Sequence, residues 1–170
     1  MTLASAEEQA PIIKKLIDMG SESVSDCGGS ATNSLIAASN YGSKCHHVCR
    51  VSDDADGKKY LESLRSAGVD HIGVSSKESD MPTGKCLILV TPDAKRTMSS
   101  MLGVSAFLAK SDIKFDVIDD SKIFYIEGYM VTSEENFNAV TSVLNHLKNE
   151  NTLKALSLSD AGIVNGFKNK

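Results

Sequence analysis

The feature that most restricts the fold of this sequence is the alternation of helical and strand-like apolar patterns along the chain. Apolar residues at helical spacing recur in four segments, 5–19, 31–41, 55–67 and 134–147, and the first three are each followed by glycine. Shorter apolar runs with the length of buried strands occupy 45–51, 122–126 and 155–158. Because strands that alternate with helices normally pair in parallel, the pattern predicts an α/β fold with a buried sheet.

Two helix starts are marked by capping residues. Ser5 and Glu8 have the spacing of a capping box, in which each side chain bonds the backbone of the other residue. Asp53 and Asp54 precede the helical segment 55–67 and can accept hydrogen bonds from its first free N–H groups. These signals fix where two of the helices begin.

The segment 69–101 has a different pattern. Short strands are predicted at 72–74, 86–90 and 96–101, and Thr91-Pro92-Asp93-Ala94 is typical of a tight turn between the last two. We find no linker or internal repeat around it. The segment is therefore predicted to be a β insertion, a small flap, within a single domain 1–170.

Composition excludes several classes of protein. The 170 residues include 18 basic and 22 acidic side chains, for a formal net charge of −4. That balance supplies no positive field for nucleic acid or anionic lipid. No apolar stretch approaches the roughly 20 residues of a spanning helix, and the start of the chain lacks a signal-peptide pattern. We expect a cytoplasmic protein with reduced cysteines and with neither nucleic-acid nor membrane partners.

The segment Gly28-Gly29-Ser30-Ala31-Thr32-Asn33 leads directly into a helical pattern. Two glycines let a backbone approach a ligand closely, and the first N–H groups of a helix are free donors for hydroxyl or anionic oxygens. The Asn33 amide adds a donor and an acceptor, which suits a sugar diol. The alternative is a tight turn in which Ser30 or Thr32 caps the helix, and the residues alone leave both interpretations open.

Neither nucleotide-binding loop is present. Thr83-Gly84-Lys85 resembles the end of a phosphate-binding loop, but Cys86 stands where such a loop requires Ser or Thr. Ser30 and Asn33 occupy the second and third glycine positions of the dinucleotide-binding pattern. The Gly28–Asn33 segment therefore does not match the dinucleotide-binding motif.

The run Cys45-His46-His47-Val48-Cys49 contains four residue types that bind zinc. On a strand, neighbouring side chains point to opposite faces, which makes tetrahedral ligation by adjacent residues awkward. We therefore expect no metal site here and predict that these side chains pack between the sheet and the helices.

Glu127 and Tyr129 follow an apolar strand at its carboxyl end. In open α/β sheets ligands bind beyond that end, so a carboxylate and an aromatic ring here suit hydroxyl recognition and stacking. The alternative is a surface glutamate beside a turn. Arg96 lies next to the Pro92-Asp93 turn, where it either reaches an anion when a flap closes or is simply solvated.

Taken in order, these segments resemble the ribokinase-like (PfkB) family of carbohydrate and nucleoside kinases over nearly the whole chain, in particular its adenosine-kinase-like members. The matching segments are Gly28-Gly29 with Asn33, the segment from Val51 to Gly57, Ala67 to Asp70, Thr83 to Lys85, Thr91 to Thr97, Tyr125 to Tyr129, and Leu158 to Asp160. The resemblance implies a ribokinase-like three-layer α/β/α sandwich with a small β-strand lid at about 69–101.

The resemblance also implies roles for individual residues. Gly28, Gly29, Ser30 and Asn33 would bind ribose hydroxyls, and Glu127 would approach the sugar. The remaining implied contacts are those of Tyr129 and Met130 with the base and of Arg96 with the transferred phosphate. The intact family enzyme would use ATP and Mg²⁺.

The sequence lacks other motifs of this family. Members open with a strand whose aspartate binds the sugar, and their second half carries an Asn-x-x-Glu segment and a Gly-x-Gly-Asp turn that supplies the catalytic base. None of these is found here. We therefore expect a partial domain without the catalytic base or the ATP site, inactive by itself and able to self-associate through an exposed sheet edge. A ribokinase- or fructokinase-type sugar kinase and a non-catalytic nucleoside-binding module remain alternatives.

Overall fold

The computed structural model describes residues 2–76, 81–149 and 151–169. Six α-helices lie in these ranges: α1 Ala6–Asp18, α2 Ser30–Asn40, α3 Ala55–Ser66, α4 Phe115–Asp119, α5 Glu134–His146 and α6 Ala161–Phe167. The strands are β1 Thr2–Leu3, β2 Cys45–His47, β3 Arg50–Ser52, β4 Val69–His71, β5 Val74–Ser76, β6 Lys85–Val90, β7 Arg96–Met101, β8 Ile123–Glu127 and β9 Leu153–Ser157. The predicted α/β class is confirmed.

The predicted helix starts are also confirmed. Ser5 caps α1 in a full capping box, donating its backbone N–H to Glu8 Oε2 and accepting the Glu8 N–H on its hydroxyl. Asp54, and not Asp53, caps α3 by accepting the Gly57 N–H at 2.7 Å. In both helices the cap satisfies a backbone donor that the helix itself leaves free.

Most of the strands pair in parallel. β2 pairs with β4, β3 with β5, and β8 with β9. The single strand predicted over 45–51 is divided into β2 and β3, and the strand predicted at 72–74 is replaced by β4 and β5 on either side of Gly73. A Cβ on Gly73 would lie 1.8 Å from the Cys49 carbonyl oxygen, so the two interrupted strands meet at their breaks.

The antiparallel part of the predicted lid is shorter than 69–101. β6 and β7 form a hairpin in which Lys85 pairs with Met101 and Val90 with Arg96, and β1 joins β7 in parallel. β4 and β5 instead belong with β2 and β3, since they pair with those strands. Residues 77–80 of the predicted segment lie outside the described residues.

Two clusters of buried apolar residues lie within the described part of the core. In the first, Cys45, Leu64 and Val69 join β2, α3 and β4, and Leu35 and Ile36 of α2 pack against them. In the second, Ile118, Val143 and Leu147 are packed by Phe115 and Phe124. Within the described residues, no helix has both the length and the apolar character needed to span a membrane.

Candidate active site

The start of α2 is built around Gly29. Its backbone has φ 112° and ψ 141°, a conformation that side-chain-bearing residues rarely adopt, and its carbonyl accepts the Asn33 N–H at 2.9 Å. Gly29 is the N-cap and has no side chain with which to occupy the free N–H groups of the first helical turn. Gly28, Ser30 and Asn33 are exposed, so these donors can be reached from solvent.

Thr32 does not cap the helix. Its side chain instead connects α2 to residues of β2 and α3. Its side chain is buried, and its Oγ1 lies 2.5 Å from the Tyr60 hydroxyl and 3.3 Å from His47 Nε2. The Tyr60 hydroxyl and His47 Nε2 are themselves 3.2 Å apart. A Cβ added to Gly29 would lie 3.3 Å from Thr32 Oγ1, so the hydrogen-bonded Thr32 side chain lies directly against the glycine.

The group is uncharged at neutral pH. Burial, assisted by the nearby His71, lowers the pKa of His47 from 6.5 to about 4. Burial also raises the pKa of the Tyr60 hydroxyl well above its usual range. The start of α2 is therefore fixed to β2 and α3 by neutral hydrogen bonds, which sequence reasoning did not detect because the three residues come from distant segments.

At the other side of the candidate site, Glu127 is the last residue of β8 and is almost fully buried. Its Oε1 accepts the Tyr125 hydroxyl at 2.6 Å, and its Oε2 accepts the Ser159 hydroxyl at 2.9 Å. Glu127 is thus not the solvated surface glutamate of the alternative interpretation. It joins the carboxyl end of β8 to the segment that follows β9.

Tyr129 continues this network. Its N–H donates to Ser159 Oγ at 3.2 Å and its hydroxyl donates to Asp160 Oδ2 at 2.8 Å, while Asp160 Oδ1 caps α6. Burial raises the pKa of Tyr129, and the bond to Asp160 raises it further. The same bond is the largest cause of the lowered pKa of Asp160. Met130 follows in a short 3₁₀ helix, Gly128–Thr132, and is half-buried.

Helix α2 packs against β2 and also contacts β8. Arg96 is exposed at the first position of β7, beside the hairpin turn. Ser159 and Asp160 were not predicted as site residues. The available signal was their place at the carboxyl end of β9, next to that of β8.

The predicted packing role of the cysteine and histidine run holds for Cys45, which is buried against Leu64 and Val69. His47 bonds Thr32 and Tyr60, as described above. Over the described part of the chain, no group of three or more His, Cys, Asp or Glu side chains could hold a metal ion.

Parallel strand pairs packed against a glycine-capped helix, together with an antiparallel hairpin, are features of a ribokinase-like α/β fold. Residues 5–163 match the pfkB family of carbohydrate kinases, and the chain belongs to this family. The resemblance inferred from the sequence is therefore confirmed.

Individual relatives agree with this assignment. The chain is similar to adenosine kinase from Sinorhizobium meliloti at 26% identity and a TM-score of 0.89, covering 99% of this chain and 50% of that chain. A probable sugar kinase from Rhizobium etli is similar at 25% identity and a TM-score of 0.88, again over 99% and 50%. Mouse ribokinase is 29% identical over 89 residues, which are 51% of this chain and 27% of that protein. The chain thus spans half or less of the length of these relatives.

Proposed function

We propose that this chain is the substrate-binding portion of an ATP-dependent kinase of the adenosine kinase type, which transfers the γ-phosphate of ATP to the 5′-hydroxyl of a nucleoside. The observation that carries the proposal is the exposed start of α2, where Gly29 holds a glycine-only conformation with Asn33 one turn away. Such a helix start presents free N–H donors and an amide to a pair of hydroxyls.

In this proposal, Gly28, Gly29, Ser30 and Asn33 bind the ribose hydroxyls. Because the Thr32 side chain is hydrogen-bonded to His47 and Tyr60, the donors at the start of α2 are held in place before the ligand arrives. Less conformational entropy is therefore lost on binding. This preorganisation also fixes the position of the sugar relative to the rest of the site, which is the main contribution a protein makes to phosphoryl transfer.

The β8 side of the site contacts the rest of the nucleoside. Tyr129 and Met130 pack against the base, and the fixed carboxylate of Glu127 lies towards the sugar. Tyr129 is held by Asp160 and Ser159, so its ring is presented at a defined angle for stacking. Arg96 binds the phosphate from the lid hairpin.

Kinases of this family use ATP, typically with a divalent metal ion. Among the described residues, no group of three or more His, Cys, Asp or Glu side chains is placed to hold a metal ion. We further propose that ATP and Mg²⁺ bind poorly to this chain by itself and that it does not turn over alone, because phosphoryl transfer requires a base aligned on the attacking hydroxyl and charge-stabilising contacts to the phosphates.

A sugar kinase is the second candidate. The similarity to mouse ribokinase and to the Rhizobium etli probable sugar kinase favours it, and the same helix start would serve the hydroxyls of a free pentose or hexose. A non-catalytic nucleoside-binding module would retain the hydroxyl contacts without phosphoryl transfer.

Calorimetric titration of adenosine, ribose and fructose into the purified chain separates these candidates, together with an ADP-release assay with ATP and Mg²⁺. We expect adenosine to bind more tightly than either sugar, without turnover. Tighter binding of ribose or fructose would favour the sugar kinase, and turnover would contradict the proposed need for a further catalytic portion. If none of the three ligands binds, the proposed function is wrong.

The role of the helix start is tested by Asn33→Ala. Removing the amide deletes up to two hydrogen bonds to the ligand, so we expect adenosine to bind roughly tenfold more weakly. Asn40→Ala is the matched control, because Asn40 is an exposed asparagine at the other end of the same helix. Equal affinities of the two variants would exclude Asn33 from the binding site.

A further inference from the structure

Two segments that resemble family signatures are not explained by the proposed ligand contacts. One follows β3 and contains Asp54 and Gly57, and the other contains Thr83 and leads into β6, the first strand of the lid hairpin. They are separated by 29 positions in the sequence, yet their side chains are in direct contact.

The Asp54 carboxylate receives three hydrogen bonds. Its Oδ2 accepts the Thr83 N–H at 2.8 Å, and its Oδ1 accepts both the Thr83 hydroxyl and the Gly57 N–H at 2.7 Å. Thr83 Oγ1 in turn accepts the Ser52 N–H at 2.9 Å. Thr83 and Ser52 are buried, so these bonds are shielded from competing water.

The electrostatics of Asp54 agree with this geometry. Burial by itself would raise the pKa of Asp54, but the hydrogen bonds from the Thr83 and Gly57 N–H groups and the Thr83 hydroxyl, with the charge of Lys85, lower it below its ordinary value. The carboxylate is therefore ionised at neutral pH, and its bonds to Thr83 are charge-assisted.

Both strands of the hairpin leave the body of the protein at this contact. A Cβ on Gly57 would lie 2.0 Å from the Ser52 carbonyl oxygen and 2.8 Å from Thr83 Oγ1, so α3 and Thr83 pack without room for a larger residue. After β7, Gly103 has φ 51° and approaches the Pro82 carbonyl, which accepts the Val104 N–H at 3.0 Å. The segment that leads into β6 and the segment that follows β7 are thus joined by a hydrogen bond next to Thr83, the partner of Asp54.

We propose that Asp54 and Thr83 are positioning residues that fix the β6–β7 hairpin to the α/β body, and that this contact sets how tightly ligand is held at the start of α2. The effect on ligand binding rests on the proposed function, whereas the attachment of the hairpin does not. Asp54 thereby serves both as the N-cap of α3 and as the acceptor that fixes the lid.

Asp54→Asn separates these two roles. Asparagine is as good an N-cap as aspartate, so its Oδ1 can still accept the Gly57 N–H. Its NH₂ group takes the place of the Oδ2 acceptor. Because NH₂ and the Thr83 N–H are both donors, the hydrogen bond between these positions is lost. Asp53→Asn is the matched control: it makes the same charge change one residue away, where Asp53 is exposed and pairs with Lys58 at 3.1 Å.

Hydrogen exchange measured by mass spectrometry gives a readout that needs no ligand. In Asp54→Asn we expect the amides of residues 83–104 to exchange roughly tenfold faster or more, since a charge-assisted hydrogen bond is lost, while α5 and β8 exchange at the wild-type rate. Asp53→Asn should match the wild type throughout. An equal exchange rate in both variants, or faster exchange over the whole chain, overturns the proposal.

Thr83 supplies an independent test if Asp54→Asn does not fold. Thr83→Val keeps the shape but removes the hydroxyl, whereas Thr83→Ser keeps the hydroxyl. We expect Thr83→Val to show the faster exchange of 83–104 and Thr83→Ser to restore most of the protection. If serine and valine behave alike, the hydroxyl contact does not position the hairpin.

Adenosine titration of the same variants tests the link to binding. We expect Asp54→Asn to bind adenosine several-fold more weakly than Asp53→Asn. Unchanged affinity with faster exchange would overturn the link while leaving the attachment in place. Absence of adenosine binding by the wild type would instead contradict the proposed function, and the exchange measurements would still decide the role of Asp54.

Discussion

At the scale of single residues, His47 is a largely buried side chain held by two neighbouring hydroxyl groups. It lies on β2 with Thr32 and Tyr60 within hydrogen-bonding distance of Nε2, and the His71 ring also influences it electrostatically. Its pKa falls from 6.5 to about 4, chiefly because burial disfavours the imidazolium. A histidine with a lowered pKa makes the folded state sensitive to acid.

The sign of this effect follows from proton binding. Between about pH 6.5 and pH 4 the unfolded chain binds a proton at His47 and the folded chain does not, so the free energy of unfolding decreases as the pH falls through this window. We expect a loss of roughly 3 kcal/mol from this residue between pH 7 and pH 4. Urea denaturation should show a shallower pH dependence in His47→Gln, and an unchanged slope would contradict the assignment.

At the scale of elements, the ends of β8 and β9 are joined by side chains rather than by the backbone ladder alone. Glu127 accepts hydroxyl hydrogen bonds from both sides, one from Tyr125 within β8 and one from Ser159 beyond β9. Ser159 also has a positive φ of 64°, which is uncommon for a residue with a side chain. The network holds this segment in place, and with it the N–H of Tyr129.

Glu127→Gln tests the network. Glutamine offers one acceptor oxygen in place of two, so one of the partly buried hydroxyls loses its acceptor, and we expect the free energy of unfolding to fall by about 1 kcal/mol. Glu135→Gln is the control, because Glu135 is an exposed glutamate in the first turn of α5. Equal stability of the two variants in urea denaturation would show that the two hydroxyl contacts contribute nothing.

At the scale of the whole molecule, apolar side chains remain exposed on the β8–β9 pair. Ile123 and Leu153 are register partners and lie side by side on one face, 59% and 65% exposed. Leu156, on the opposite face of β9, is 61% exposed. Parallel strands are normally covered on both faces, so this pair presents surface that a stable protein tends to bury.

We therefore expect the isolated chain to self-associate in a concentration-dependent way through β9 and its apolar neighbours. Leu153→Glu should weaken this association by placing a charge on the exposed pair. Val24→Glu is the control, since Val24 is 91% exposed and distant in sequence from both strands. Sedimentation velocity at several concentrations measures the effect. A monomer at every concentration would contradict the expectation, as would equal association of the two variants.

Local patterns were sufficient for much of the secondary structure. Apolar periodicity and capping residues predicted α1, α2, α3 and α5 to within one or two residues, because both signals come from neighbouring positions in the chain. The same patterns missed α4 and misplaced the strands around Gly73. Strand bounds depend on hydrogen bonds to a partner strand, and a short apolar run gives no indication of where that partner breaks.

Local patterns determined the α/β class and where the glycine-capped helix begins, because those properties depend on residues close together in the chain. The order of the motifs indicated the pfkB family through resemblance. Only the tertiary structure decided that Thr32 is held beneath Gly29, that Glu127 is enclosed by hydroxyl groups, and that Asp54 is bonded to Thr83. Each of these contacts joins segments that the sequence separates. Hydrogen bonds of this kind require a geometry that exists only after the strands and helices have packed.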